Sequence, residues 1–92
     1  MPIARFRFYA QLNDHLPPEL RLRSILRQFQ AGTSVHDHIE ALGVPKEEIE
    51  LILANGESVD FSYLLQHGDR ISLYPKFQSI DITPVKMAAN KR

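Results

Sequence analysis

Apolar and polar residues alternate at the start of the chain. Across residues 3–10, arginines and Tyr9 occupy one face, and the other face carries four apolar side chains: Ala4, Phe6, Phe8 and Ala10. An alternation of period two that includes aromatic residues is typical of a half-buried β-strand. The Asn13-Asp14 and Pro17-Pro18 pairs that follow predict a loop.

Residues 20–30 fit two different elements. Leu22, Ile25, Leu26 and Phe29 recur at the i, i+3, i+4, i+7 spacing of an amphipathic helix. The same segment could be a strand, because Ile25, Arg27 and Phe29 would then share one face. Periodicity alone favours the helix, and both interpretations stay open on this pattern.

A short helix is predicted next, with signals for both of its ends. Ser34 can cap it, with Asp37 three residues later in a variant of the capping box. Gly43 suits a left-handed stop position, and Pro45 prevents continuation. Between these signals lies a stripe of core-facing residues at helical spacing: Val35, His38, Ile39 and Leu42.

The second half of the chain predicts three strands. Residues 51–54 form the first, and Asn55-Gly56 predicts a tight hairpin turn into a short returning strand over residues 57–60. Gly68-Asp69 then turns into a last strand over Arg70–Pro75. We expect the apolar core to contain twelve side chains, with Leu51 and Leu53 pointing inward: Phe6, Phe8, Ile25, Phe29, Val35, Ile39, Leu42, Leu51, Leu53, Leu65, Ile71 and Leu73.

The net charge is zero, but the charges are segregated along the chain. Residues 1–32 carry five basic and two acidic side chains, residues 33–69 carry one and eight, and residues 70–92 carry five and one. If the first and last segments lie side by side, one edge of the fold is basic and another acidic. The alternative is that oppositely charged segments pair within the domain.

Composition excludes several classes of function. A chain of 92 residues has room for one small domain, and it contains no cysteine for a disulfide, a thiolate zinc site or a nucleophile. No apolar run approaches the roughly 18 residues of a membrane span, so we expect a cytoplasmic protein without membrane contact.

Catalytic and metal sites are not expected either. His36 and His38 would point about 200° apart on a helix, whereas metal-binding pairs on helices use i, i+3 or i+4 spacing. The acids between residues 37 and 50 flank a helix and a turn, as a solvated face would. The four glycines stand apart, so no phosphate-binding loop is present. We therefore predict no catalytic residue, no cofactor, no metal and no enzymatic activity.

Two resemblances refine this picture. Residues 51–60 and 65–75, with their Asn55-Gly56 and Gly68-Asp69 pairs, resemble the second half of β-grasp, ubiquitin-like sulfur carriers of the thiamine and molybdopterin pathways. The chain more closely resembles the ubiquitin-like domain found ahead of Mut-seven-type C-terminal ribonuclease domains. The segments that carry this closer likeness are residues 6–14, 16–19, 34–35, 42–45, 55–63 and 68–69.

The resemblance implies an α+β, ubiquitin-like β-grasp fold in which a mixed five-stranded sheet packs on one main helix in the order ββαβββ. It therefore favours a strand near residues 22–30 over the helix. The domain would span residues 3–82, and residues 83–92 would form a flexible tail. The sulfur carriers end in Gly-Gly, whose carboxylate is adenylated and converted to a thiocarboxylate, but no glycine follows Gly68 here. A diverged sulfur carrier is therefore the disfavoured alternative.

The resemblance implies a non-catalytic interaction or adaptor domain associated with a ribonuclease or with RNA processing, because no residue here matches the catalytic cluster of the ribonuclease domain. In a β-grasp sheet the first and last strands are neighbours at the centre, and their outward side chains form a candidate partner surface. Arginines and tyrosines suit a protein partner or single-stranded RNA, or they could merely cover the sheet. The oligomeric state is not predicted. The candidate residues are Arg5, Arg7, Tyr9, Ile52, Arg70, Ser72 and Tyr74.

Overall fold

The computed structural model describes residues 1–76 of the chain. Five strands form one sheet in the order β2-β1-β5-β3-β4, and a single α-helix is found in this part of the chain. Three short 3-10 segments connect these elements, over Ala10–His15, Pro18–Leu20 and Lys46–Glu48. The main elements are β1 (Ile3–Phe8), β2 (Ile25–Gln28), α1 (Val35–Leu42), β3 (Ile49–Ala54), β4 (Glu57–Val59) and β5 (Arg70–Pro75).

The two central strands are parallel, and all other strand pairs are antiparallel. β1 pairs with β5 in parallel and with β2 in antiparallel orientation, while β3 lies antiparallel to both β5 and β4. Val35 and Ile39 of α1 are fully buried in the same core as Phe6 and Phe8 of β1, so the helix covers one face of the sheet. The predicted ββαβββ β-grasp fold is confirmed. The predicted domain limit at residue 82 and the tail 83–92 lie outside the described residues.

Helix α1 has both of the ends that the sequence predicts. The Ser34 hydroxyl accepts a hydrogen bond from the Asp37 backbone N–H at 3.1 Å, and the Asp37 carboxylate accepts one from the Ser34 N–H at 3.2 Å. This reciprocal capping box satisfies two backbone donors at the start of the helix. Gly43 ends the helix with a φ of 83°, a left-handed conformation that side chains disfavour.

Periodicity gives the wrong element for residues 20–30, and the resemblance gives the right one. β2 pairs along β1, with Ile25 opposite Phe6, and the Phe29 N–H donates to the Pro2 carbonyl at 3.1 Å. Ile25 and Phe29 are buried, whereas Leu22 and Leu26 are 75% and 63% exposed. The helical stripe is therefore only half buried, because cross-strand pairing with β1 decides which side chains face the core.

The predicted orientation of β3 is also wrong. Ile52 is buried with 3% exposure, whereas Leu51 is 38% exposed and Leu53 is partly exposed. The pairing of β3 with β5 shifts between Ile49 and Leu51, so Glu50 and Leu51 are both exposed in succession. This β-bulge inverts the alternation that places Leu51 inward. Strand alternation likewise ends at Phe8, since Ala10 is exposed with a φ of 53°.

Two buried polar side chains fix the loops at opposite ends of the central strands. After β1, the Asn13 amide nitrogen donates to the carbonyls of Phe8 and Ala10, and its oxygen accepts the Leu22 N–H. Before β5, the Asp69 carboxylate is only 5% exposed. It accepts hydrogen bonds from three groups: the Asn55 amide, the Tyr63 hydroxyl and the Gln66 backbone N–H.

No helix within residues 1–76 is long and apolar enough to cross a membrane.

Candidate functional site

The outer face of the sheet, opposite α1, collects the exposed side chains of the central strands. Along β1 and β5 the inward residues are buried, so the residues between them point away from the core. Six of the seven predicted site residues lie on this outer face: Arg5, Arg7, Tyr9, Arg70, Ser72 and Tyr74. The seventh, Ile52, is an inner-face residue, because the β3 bulge reverses its direction.

The parallel register brings the six side chains into adjacent rows. Arg5 lies opposite Arg70, and Arg7 lies opposite Ser72. The Tyr9 N–H donates to the Leu73 carbonyl at 3.0 Å, which continues the ladder beyond β1. The sequence-based expectation that the first and last strands lie side by side is therefore confirmed, and the partner-binding role of these residues stays a prediction.

An aromatic stack forms one end of the outer face. The rings of Tyr9 and Tyr74 lie with their centroids 4.4 Å apart and their planes 11° from parallel. The Arg7 guanidinium carbon lies 5.5 Å from the centroid of the Tyr9 ring, a cation–π distance. Burial raises the pKa of Tyr74, and the neighbouring hydroxyl of Tyr9 raises it further. Tyr74 is therefore a neutral phenol at neutral pH.

Leucines border the arginine and tyrosine rows on both sides. Leu26 on β2 lies opposite Arg5, while Leu53 and Leu51 on β3 lie opposite Ser72 and Tyr74. Sequence reasoning missed all three leucines. The strand interpretation of residues 25–29 predicts that Leu26 is exposed. It places Ile25 and Phe29 on the inner face, so Leu26 between them points outward. Leu51 and Leu53 carry no such signal, because the bulge that exposes them is not visible in the hydrophobic pattern.

The arginines of the outer face have no acidic partner among residues 1–76. In residues 1–76 the close contacts between basic side chains and carboxylates join His15 to Glu48 at 2.8 Å and His36 to Glu40 at 4.0 Å, and neither contact includes an arginine. Within this part of the chain, no carboxylate oxygen lies within 4.0 Å of a nitrogen of Arg5, Arg7 or Arg70. The outer face therefore presents unneutralised positive charge beside exposed aliphatic surface.

The histidines of α1 have separate, internal partners. His38 is buried, its ring stacks on Phe6 with centroids 4.7 Å apart, and its Nε2 accepts a hydrogen bond from the Arg27 Nε at 3.0 Å. Burial lowers the pKa of His38, and the Arg27 charge lowers it further. The His36 ring instead lies perpendicular to the Phe61 ring, with centroids 6.4 Å apart. Across residues 1–76, no three His, Asp or Glu side chains are grouped so that they could hold a metal ion.

Comparisons with solved structures give the same fold. The crystal structure of small archaeal modifier protein 1 from Haloferax volcanii matches with a TM-score of 0.63 and 18% identity, covering 84% of this chain and all of that chain. A second crystal structure of that modifier gives a TM-score of 0.61 at 19% identity, over 83% of this chain and 97% of the other. A Pyrococcus furiosus protein assigned as molybdopterin converting factor, subunit 1, gives 0.62 at 16% identity, over 84% and 100%.

The sequence comparisons identify a family but no individual curated relative. No curated protein matches the chain significantly. The family model described as Mut7-C ubiquitin matches residues 1–81, which include the five strands, the helix and the outer face described within residues 1–76. With the β-grasp topology in place and the match spanning most of the sequence, the chain belongs to the Mut7-C ubiquitin family.

Proposed function

We propose that this domain is a non-catalytic interaction module that binds a protein partner through the outer face of its sheet, and that the partner is a ribonuclease domain. One observation carries the proposal. Arginines without an acidic partner in residues 1–76 lie beside a tyrosine stack, and exposed leucines flank both. Arginine and tyrosine dominate the binding energy of protein interfaces, and burial of the flanking leucines adds a favourable apolar contribution.

A protein partner fits the aromatic geometry better than RNA does. Single-stranded RNA binds to sheets by stacking bases on accessible aromatic faces. The Tyr9 ring already stacks on Tyr74 and contacts the Arg7 guanidinium. These contacts within the domain leave less of the ring surface for a base to stack on. Leu26 is 63% exposed, and burying this side chain in an interface with another protein would make the free energy of binding more favourable.

The absence of catalysis is supported by how the buried titratable groups are used. The Nε2 of His38 accepts a hydrogen bond from Arg27 and its ring stacks on Phe6, so the buried imidazole is held inside the fold. The Asp69 oxygens accept three hydrogen bonds from the surrounding loops. These groups stabilise the fold, and general acid–base chemistry would require one of them within reach of a substrate.

The ribonuclease association follows from the family resemblance and is tested directly. The purified chain is titrated with a Mut-seven-type C-terminal ribonuclease domain in a calorimeter. We expect Arg7→Glu and Tyr74→Ala each to weaken binding by about tenfold or more, as loss of an interface hot spot does. Arg23→Glu is the matched control, because Arg23 is exposed in the loop before β2 and outside the strands that form the outer face. Unchanged affinity in both outer-face variants would refute the proposal.

RNA binding is the competing outcome of the same titration series. A single-stranded RNA oligomer replaces the ribonuclease domain, and the affinity is measured at several salt concentrations. Phosphate contacts release counterions, so true RNA binding weakens steeply as salt rises. We expect no such binding. If RNA binds with a steep salt dependence and Arg7→Glu abolishes that binding, the outer face is an RNA-binding surface.

A second candidate function is that of a carrier or modifier. Its support is the structural likeness to a small archaeal modifier protein and to a molybdopterin converting factor. The Gly-Gly pair that sulfur carriers activate occurs nowhere in residues 1–92, which is why this candidate ranks second. The chain is incubated with an activating enzyme and ATP, and mass spectrometry looks for an adenylate or for the exchange of oxygen for sulfur at the carboxyl terminus. A stoichiometric mass gain would favour the carrier.

A further inference from the structure

A concavity of about 330 Å³ lies at the end of the outer face farthest from the tyrosine stack. Leu26 of β2, Arg5 of β1 and Arg70 of β5 line it, together with His67 and Asp69 from the turn before β5. The sheet brings these residues together because β2, β1 and β5 are consecutive neighbours in its order. Its walls therefore combine basic and apolar groups.

The two arginines of the concavity are directly opposite each other. Arg5 pairs with Arg70 on neighbouring strands, which lie roughly 4.8 Å apart in a sheet. Like charges at opposed positions destabilise a strand pair. Within residues 1–76 no carboxylate approaches either guanidinium to 4.0 Å, so no acidic side chain of this part of the chain forms an ion pair that offsets the repulsion. An anion bound between the two side chains would offset it.

The one acidic residue in the wall does not neutralise the arginines. The Asp69 carboxylate turns into the fold, where it accepts hydrogen bonds at 2.9, 2.9 and 2.8 Å from Asn55, Tyr63 and Gln66. Its side chain is almost completely buried, with 5% of the residue exposed. The negative charge is therefore engaged by the loops behind the concavity and leaves the guanidinium groups free to bind a ligand.

His67 adds a third donor of defined orientation. Its Nδ1 accepts a hydrogen bond from the Ile3 backbone N–H at 3.1 Å. In a neutral imidazole one nitrogen accepts and the other donates, so the proton lies on Nε2. The Nε2–H is then available to a ligand in the concavity that His67 lines. Arg5, Arg70 and His67 thus present donors only, beside the exposed aliphatic side chain of Leu26.

We infer that this concavity binds a carboxylate of an acidic peptide, with the neighbouring apolar side chain of the peptide packed on Leu26. Guanidinium groups bind carboxylates through paired, charge-assisted hydrogen bonds. The apolar wall distinguishes a peptide from a polynucleotide, because a phosphate would satisfy the donors and leave Leu26 exposed. The inference rests on the proposed function, since it gives the chemistry of the partner segment that meets this end of the outer face.

A blocked hexapeptide of alternating leucine and glutamate is the probe. It is titrated into the isotope-labelled full chain, and amide chemical shifts are followed by NMR. We expect shifts at Arg5, His67 and Arg70, and no binding by the peptide in which every glutamate is glutamine. The double variant Arg5→Gln/Arg70→Gln should bind about tenfold or more weakly, while Arg23→Gln should bind like wild type.

The double variant also separates a binding role from a structural one. Because it removes opposed like charges, we expect its thermal midpoint to be equal to or above that of wild type. Equal binding of the glutamate and glutamine peptides, or unchanged affinity in the double variant, overturns the inference. Tighter binding of inorganic phosphate or of single-stranded RNA at the same amides also overturns it, in favour of a phosphate site.

Failure of this inference and failure of the proposed function are distinguishable. The ribonuclease-domain titration depends on Arg7 and Tyr74, which lie outside the concavity. If that titration remains sensitive to Arg7→Glu while the peptide does not bind, only the carboxylate site is refuted. If Arg7→Glu and Tyr74→Ala both leave partner binding intact, the proposed function fails whatever the peptide does.

Discussion

Replacing Asn13 with alanine tests how the loop after β1 is held. The Asn13 side chain is buried, with 5% of the residue exposed. Its amide nitrogen donates to Phe8 O at 2.9 Å and to Ala10 O at 3.0 Å, and its oxygen accepts the Leu22 N–H at 2.8 Å. Ala10 and Leu22 both have positive φ angles, 53° and 60°, so this amide connects two unfavourable backbone conformations. Asn13→Ala removes all three hydrogen bonds at once.

The loss can be estimated from these contacts. A neutral hydrogen bond contributes about 1 kcal/mol net, so three of them give about 3 kcal/mol. A domain of this size has a free energy of unfolding of roughly 5–10 kcal/mol, so about 30–60% of its stability depends on Asn13. Because 1 kcal/mol changes the melting temperature by about 4–8 °C at this length, the variant should melt about 12–24 °C lower.

Urea unfolding followed by circular dichroism measures the effect. Gln30→Ala is the matched control, because it removes an amide that is exposed, and it should stay within about 0.5 kcal/mol of wild type. Asn13→Asp keeps the acceptor for Leu22 but places a carboxylate beside the carbonyls of Phe8 and Ala10, so it should lose at least as much stability as Asn13→Ala. A loss below about 1 kcal/mol for Asn13→Ala, or equal losses for Asn13→Ala and Gln30→Ala, would contradict this account.

Three further predictions concern stability and strand orientation. Burial and the Arg27 charge lower the pKa of His38, so the unfolded chain binds this proton at higher pH than the folded chain does. The free energy of unfolding should therefore fall as pH drops below the ordinary value of 6.5, and His38→Gln should make that fall shallower in urea titrations; equal slopes would contradict it. Leu22→Gly should melt at or above the wild-type temperature, because it relieves a left-handed conformation worth about 1 kcal/mol, whereas Leu26→Gly in β2 should lose about 1 kcal/mol; equal losses would refute the strain argument. Ile52→Lys should unfold the domain while Leu53→Lys folds, as measured by circular dichroism, and the reverse result would restore the unbulged orientation of β3.

Local signals in the sequence were sufficient for α1 and the hairpin. Ser34, Asp37 and Gly43 encode the ends of the helix through hydrogen bonds and a φ angle that involve only neighbouring residues. Asn55-Gly56 adopts the positive φ angles, 54° and 90°, that its two-residue turn requires. Features of this kind are predictable because a few adjacent residues determine their free energy.

Features that depend on distant partners were not predictable in this way. β2 has a helical pattern, yet Ile25 gains a cross-strand partner in Phe6 that no local pattern shows. The 3-10 segment Ala10–His15 buries Leu12, although the sequence there indicates only a loop. The family resemblance gave the correct element for β2, because a family resemblance carries information about the whole fold. It did not reveal the bulge of β3, which depends on the register with β5.

The outer face likewise combines a feature that the sequence predicts with one that depends on distant strand pairing. Its positive charge was predictable, because pairing β1 with β5 unites the two basic segments of a chain whose net charge is zero. The acidic middle segment offers no partner to that face within residues 1–76, since Asp69, the acid nearest to Arg70 in sequence, bonds to the loops instead. The exposure of the β3 leucines depends on register, because one residue of slip in β3 decides whether Leu53 or Ile52 lies beside Ser72 on the outer face. The apolar surface that β3 adds to the outer face therefore depends on the bulge, whereas the positive charge that attracts an acidic partner depends on the strand order.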